Sequence, residues 1–92
     1  MRIEYKVPSG KLVAAETTVE SGLIKKVKIS GDFFMYPEGL LWELERTLRG
    51  TPASKERILA KIENFYDSTG VLTPGVIPQD FTEAIMRALS AS

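Results

Sequence analysis

Gly31-Asp32-Phe33-Phe34-Met35-Tyr36 is the segment whose residue types and spacing point most strongly to a contact or a site. Three aromatics and a methionine fill four successive positions, and no regular strand or loop turns all four toward one core. Asp32 stands between glycine and phenylalanine, where burial without donors is costly. Two readings stay open. In one, Phe33 or Phe34 plugs a gap between sheet and helix while Asp32 accepts backbone N–H bonds in the turn. In the other, the remaining aromatics meet a partner, since clustered aromatics are typical interface anchors. Trp42 is the second feature. On a helical wheel it lies roughly 150° from the centre of the Leu40, Leu41, Leu44 and Leu48 stripe, on the side of Glu38, Arg46 and Arg49. It is either an incidental exposed indole lying over a loop or a partner contact. Gly10-Lys11 is the third. Without the Walker spacing or a following helix it is no phosphate loop, but Lys11 at a hairpin shoulder can reach an anionic ligand held by a partner chain, or simply be solvated.

The usual catalytic equipment is missing. The 92 residues include no Cys and no His, which removes thiol nucleophiles, thiolate zinc sites, cysteine-ligated clusters and imidazole bases. Glu43, Glu45, Glu56 and Glu63 form no paired-acid arrangement and read as solvated helix faces. Twelve basic residues balance twelve acidic ones, so net charge predicts no attraction to nucleic acid or to an anionic membrane. The charge is segregated: residues 1–30 carry +3 and residues 31–92 carry −3. Apolar residues are 43% and charged residues 26%, a globular composition. Residues 1–92 read as one domain, because a chain of this size buries about 60–68% of its unfolded surface and supports one core. No signal peptide or membrane-length apolar stretch is visible, so a soluble cytoplasmic protein is the expectation.

These residues must be positioned by strands first and helices second. Arg2 to Val7 alternates polar and apolar, with Ile3, Tyr5 and Val7 on one face. Pro8-Ser9-Gly10 reads as a three-residue hairpin loop, and the return strand from Lys11 to Glu20 places Val13, Ala15, Thr17 and Val19 on one side. Pairing Val7 with Lys11 sets Tyr5 against Val13 and Ile3 against Ala15. Ser21-Gly22 turns the chain into a third strand, Leu23 to Ser30. A two-residue turn suits Ile24, but continuing that register would bury Lys26 and Lys28 and expel Val27 and Ile29. One extra residue near Lys25-Lys26 resolves the conflict, so a β-bulge is predicted there.

Tyr36-Pro37-Glu38 reads as a helix start, with Gly39 in the first turn, the leucine stripe inward, a Glu45–Arg49 pair and Gly50 just past the end. Thr51 or Ser54 caps a second helix with Ile58, Leu59, Ile62, Phe65 and Tyr66 inward, broken at Ser68-Thr69-Gly70. Val71 to Pro78 is an ordered loop. In the last helix Phe81, Ile85, Ala88 and Leu89 face inward. Asp80 and Glu83 can form a capping box there, unless Pro78 starts the helix earlier. The order predicts an α+β fold, a three-stranded antiparallel meander followed by three helices packed on one face, the other face wet.

Taken together, Val7-Pro8-Ser9-Gly10-Lys11-Leu12-Val13, Ser21-Gly22-Leu23-Ile24-Lys25-Lys26-Val27-Lys28-Ile29 and Gly31-Asp32-Phe33-Phe34 resemble the C-terminal accessory domain of lipoate–protein ligases. Weaker similarity continues through Leu48-Arg49-Gly50 and Pro74-Gly75-Val76. The resemblance implies a fold grouped with iron–sulfur scaffold proteins of the SufE and NifU type. It implies a separate accessory subunit of a split ligase, one that docks on a catalytic subunit as a heterodimer and is needed chiefly for the first of two steps. In that step lipoate and ATP give lipoyl-adenylate and pyrophosphate; the lipoyl group then passes to a carrier-protein lysine. ATP, Mg and lipoate are then expected at the catalytic subunit, with no cofactor bound and no catalytic residue supplied by this chain alone. Lys11, Asp32, Phe33, Phe34 and Trp42 are the candidates to face the partner or its active site. The alternative is a generic protein-interaction module with a non-ligase partner. A free-standing sulfur or cluster scaffold would need Cys, a lipoyl carrier domain would be all-β, and RNA binding finds no net positive charge.

Overall fold

The computed structural model describes residues 2–91. Its elements run β1 (Arg2–Lys6), β2 (Leu12–Glu20), β3 (Leu23–Gly31), α1 (Leu40–Leu48), α2 (Lys55–Thr69) and α3 (Pro78–Ser90). The strands form one antiparallel sheet in the order β1-β2-β3, so the α+β arrangement expected from the residue pattern is the one present. Against the sheet, α3 covers β1 and β2 and α1 covers β3, while α2 packs on both other helices.

The first hairpin has the register that keeps its apolar sets together. Tyr5 pairs with Val13 and Ile3 with Ala15, and Val7 N–H donates to the Lys11 carbonyl at 2.9 Å. The second carries the bulge. Glu20 pairs with Leu23 and Val19 with Ile24, then Thr18 pairs with Lys26, leaving Lys25 unopposed. The cause is energetic. Val27 and Ile29 are returned to the core, each stabilising by about 1.5–3 kcal/mol, and the ammonium groups of Lys26 and Lys28 stay on the solvated face.

The start of α1 differs from expectation. Pro37 does not open the helix; Leu40 does, and Gly39 precedes it with φ +91°. That left-handed conformation is strained for an L side chain, which explains a glycine at a place where helix propensity alone would disfavour it. The expected Glu45–Arg49 pair is not what Glu45 does. Its carboxylate accepts the Ile29 N–H at 2.7 Å, closing an edge donor of β3 that no fourth strand covers. The segment after α1 continues the cover: Ile24 N–H donates to Thr51 O at 2.9 Å, Gly50 N–H to Ile24 O at 2.8 Å and Ala53 N–H to Gly22 O at 2.9 Å.

Ser54 caps α2 by accepting the Arg57 N–H, and Gly70 ends it in a left-handed conformation. In α3 the earlier of the two possible starts holds. Pro78 is in the first turn, and Asp80 reaches back to accept the Ile77 N–H at 2.9 Å. Glu83, the other half of the expected box, pairs with Arg87 instead. Val13, Ile24, Leu44, Leu48, Ile58, Ile62, Phe81 and Ile85 are the fully buried centre. Among the described residues no helix is long and apolar enough to cross a membrane.

Candidate partner-docking site

The end of β3 is tied to the start of β2 by a reciprocal pair of bonds. Leu12 N–H donates to the Asp32 carboxylate at 2.5 Å, and Asp32 N–H donates to the Leu12 carbonyl at 3.1 Å. A side chain at position 31 would stand 2.0 Å from the Leu12 oxygen, with φ at +150°. Only glycine permits this approach. Gly31-Asp32 is therefore a backbone clamp, and Asp32 has the turn role that one of the two readings gave it.

The aromatics beyond the clamp divide. Phe33 turns inward and meets the fully buried Phe81 edge-on, ring centroids 5.2 Å apart. It is the plug between sheet and helix. Met35 is buried as well. Phe34 and Tyr36 point the other way, alternate along an extended segment, and stack at 6.2 Å with a 16° interplanar angle. Tyr36 exchanges both backbone bonds with Leu72, N–H to O at 2.9 and 2.8 Å. Side chains of directly opposed antiparallel residues share a face, so Leu72 joins the two rings. All three stay in water: Phe34 is 62% exposed, Tyr36 48% and Leu72 64%.

Lys11 stands at the rim of this patch. Its ammonium is 5.9 Å from the Phe34 ring centroid, the outer limit of a cation–π contact. Its aliphatic stem lies against Gly75. The Ser9 hydroxyl donates to the Gly75 carbonyl at 2.5 Å, which closes the first hairpin onto the 71–77 loop. That loop is held from the other side by Tyr66 of α2. The Thr73 hydroxyl donates to Val76 O at 2.8 Å, and a hydroxyl has one proton. The 2.6 Å contact between Tyr66 and Thr73 is therefore a bond donated by the tyrosine. Partial burial raises the Tyr66 phenol above its usual pKa, and the nearby Asp80 carboxylate raises it further.

Of the five residues singled out in the sequence, the fold brings Lys11, Asp32 and Phe34 to one end of the molecule, with Asp32 as clamp. Phe33 sits behind them. Trp42 is exposed on α1 with the Arg46 guanidinium 4.9 Å over its ring, and Arg46 also bonds Glu43 at 3.2 Å. Tyr36 falls among the remaining aromatics of the partner-contact reading but is not singled out there, and Leu72 and Gly75 are not among the candidates. Tyr36 had a signal, its i, i+2 spacing from Phe34. Leu72 had none, because its partner lies across the fold.

The family model described as bacterial lipoate protein ligase C-terminus matches residues 2–85. The chain is 45% identical over 81 residues to a Thermoplasma acidophilum protein named lipoate-protein ligase A subunit 2, covering 88% of this chain and 82% of that one. It also superposes with a TM-score of 0.78 and 39% identity on a chain of a solved archaeal lipoylation system. That structure comprises a bipartite lipoate protein ligase and its E2 lipoyl domain from Thermoplasma acidophilum, and the match covers 92% of this chain and 97% of the other. With the family model spanning nearly every strand and helix, this chain belongs to the lipoate–protein ligase C-terminal domain family.

Proposed function

We propose that the chain is a non-catalytic accessory subunit of a bipartite lipoate–protein ligase. It docks on the catalytic subunit and is needed chiefly for activation of lipoate by ATP to lipoyl-adenylate, before transfer to a carrier-protein lysine. The observation that carries this reading is the near-coextensive match to a protein named as the second subunit of such a ligase. The geometry is in keeping with it. What the chain offers is an exposed aromatic and aliphatic surface with a cation at its rim, suited to contact rather than to bond-making. ATP, Mg and lipoate are assigned to the catalytic subunit. A physical route for the effect is ordering of a catalytic-subunit loop over the adenylate, which excludes water from the reacting centre.

The test is lipoate-dependent pyrophosphate release by a catalytic subunit of this family, with and without the chain. Release that requires both supports the accessory role. Transfer of preformed lipoyl-adenylate that proceeds without the chain then assigns its effect to the first step. No stimulation of a demonstrably folded catalytic subunit rejects the ligase reading for that pair and leaves a protein-interaction module with another partner.

A further inference from the structure

We propose that the surface docking on the catalytic subunit is the patch of Phe34, Tyr36 and Leu72 with Lys11 at its rim, and that the Trp42 face of α1 lies outside the contact. The inference rests on the accessory-subunit reading and adds which face is used and what the partner must present there.

Three large apolar side chains, each about half exposed or more, are held together by a ring stack and a two-bond backbone bridge. Such a patch loses little freedom on binding, because the segments carrying it are already fixed to the core through Phe33, the Asp32 clamp and the Tyr66–Thr73 bond. Contiguous exposed apolar surface of this kind marks contact sites. Trp42 is as exposed, at 60%, but among the described residues it is the one large exposed hydrophobic on α1, so it forms no contiguous patch. Its ring lies against the Arg46 guanidinium, which is itself paired with Glu43.

The charge at the patch selects the occupant. Lys11 supplies a cation, and the Asp32 carboxylate is already bonded to the Leu12 N–H. Two copies of this chain meeting patch to patch would bring two Lys11 ammoniums into one contact. The complementary partner is a different chain, one with an apolar recess for Phe34 and Leu72 bordered by an acidic group for Lys11. Under the proposed function that chain is the catalytic subunit.

The experiment measures binding of the purified full-length chain to the catalytic subunit by calorimetry, for wild type, Phe34→Ala, Leu72→Ala and Trp42→Ala. All three positions are exposed, and circular dichroism confirms that each variant is folded. The expected result is a rise in Kd of about tenfold or more for Phe34→Ala and Leu72→Ala, with Trp42→Ala within about threefold of wild type. A benzophenone side chain placed at position 72 is expected to photocrosslink to the catalytic subunit, and one at position 42 is not. Wild-type binding that survives both patch substitutions, or that Trp42→Ala weakens as much as they do, overturns the face assignment and leaves the accessory role standing. Failure of the wild-type chain to bind overturns both. Self-association of the chain that Phe34→Ala abolishes makes a second copy the occupant and overturns the assignment as well.

Discussion

Tyr36 and Leu72 exchange both of their backbone hydrogen bonds, at 2.9 and 2.8 Å, from either side of the α1–α2 pair. The bridge joins the segment after β3 to the loop between α2 and α3 and places an aromatic and an aliphatic side chain on one face. It lies next to the Ser9–Gly75 bond, which joins the same loop to the first hairpin. Three connections far apart in sequence thus meet at one end of the molecule. The helices and strands behind them are core, and the end where they meet carries the exposed rings.

Lys11 separates charge from packing at that end. Its stem lies on Gly75 and its ammonium projects over Phe34. Lys11→Met keeps the stem and removes the charge. The expected outcome is an unchanged melting midpoint and a slower association with the catalytic subunit, with lipoate-dependent pyrophosphate release at limiting chain lowered about three- to tenfold, as rim charges act mainly on encounter. The dissociation rate should change little, and the salt dependence of association should weaken. Stopped-flow association at two ionic strengths checks this. An adenylation rate equal to wild type would show Lys11 to be a solvated surface lysine.

The clamp beside it is structural, and its variants should behave so. Asp32→Ala removes a charge-assisted bond to the Leu12 N–H and is expected to cost about 1.5–3 kcal/mol of stability, with Asp32→Asn recovering part of that. Gly31→Ala drives a methyl group into the Leu12 carbonyl and should cost about 2–4 kcal/mol. Urea unfolding followed by circular dichroism gives both values. Wild-type stability in Asp32→Ala together with lost pyrophosphate release would instead make Asp32 a functional contact.

Glu45 is tested by what replaces its oxygen. The Ile29 N–H it accepts at 2.7 Å lies on the outer edge of β3. Glu45→Gln keeps an acceptor at the same reach and should be near neutral. Glu45→Ala leaves a half-buried donor unpaired and is expected to destabilise by about 1–3 kcal/mol. Amide exchange at Ile29 should accelerate in the alanine variant and not in glutamine. Equal stability of the two variants would return Glu45 to the solvated helix face that its sequence position suggests.

The strands were legible because side-chain alternation and turn chemistry act locally. The misfit of Lys26 and Lys28 with Val27 and Ile29 is enough to require a bulge, and Lys25 is the residue left out. The helix faces were legible for the same reason. What could not be read was the destination of side chains that bond across the fold. Glu45 has the spacing of an i, i+4 partner for Arg49, yet a strand-edge N–H outcompetes a solvated guanidinium. Gly39 reads as a weak helix residue until its backbone is seen to be left-handed. At the site, the Phe33/Phe34 ambiguity was visible, but its resolution depended on Phe81, and Leu72 depended on Tyr36.

Tyr66 couples the loop to α2 in a way that pH can probe. Its phenol donates to Thr73, whose hydroxyl donates to Val76 O. Ionisation would remove the proton that makes the first bond and would place an anion in a partly buried position. Burial is the main cause of its raised pKa, and Asp80 adds to it. A group whose folded pKa lies above its unfolded value contributes stability that is complete below the unfolded pKa, about 10 for tyrosine, and is lost as pH rises through the folded one. The wild-type chain should therefore lose stability above about pH 10 more steeply than Tyr66→Phe, which has no proton to lose there. At pH 7 the order reverses: Tyr66→Phe lacks the bond to Thr73 and should be less stable by about 0.5–1.5 kcal/mol. Urea unfolding between pH 7 and 11 measures both arms. Parallel stability curves for the two proteins across that range would mean that the Tyr66 phenol titrates alike in the folded and unfolded chain, and that burial does not hold its proton.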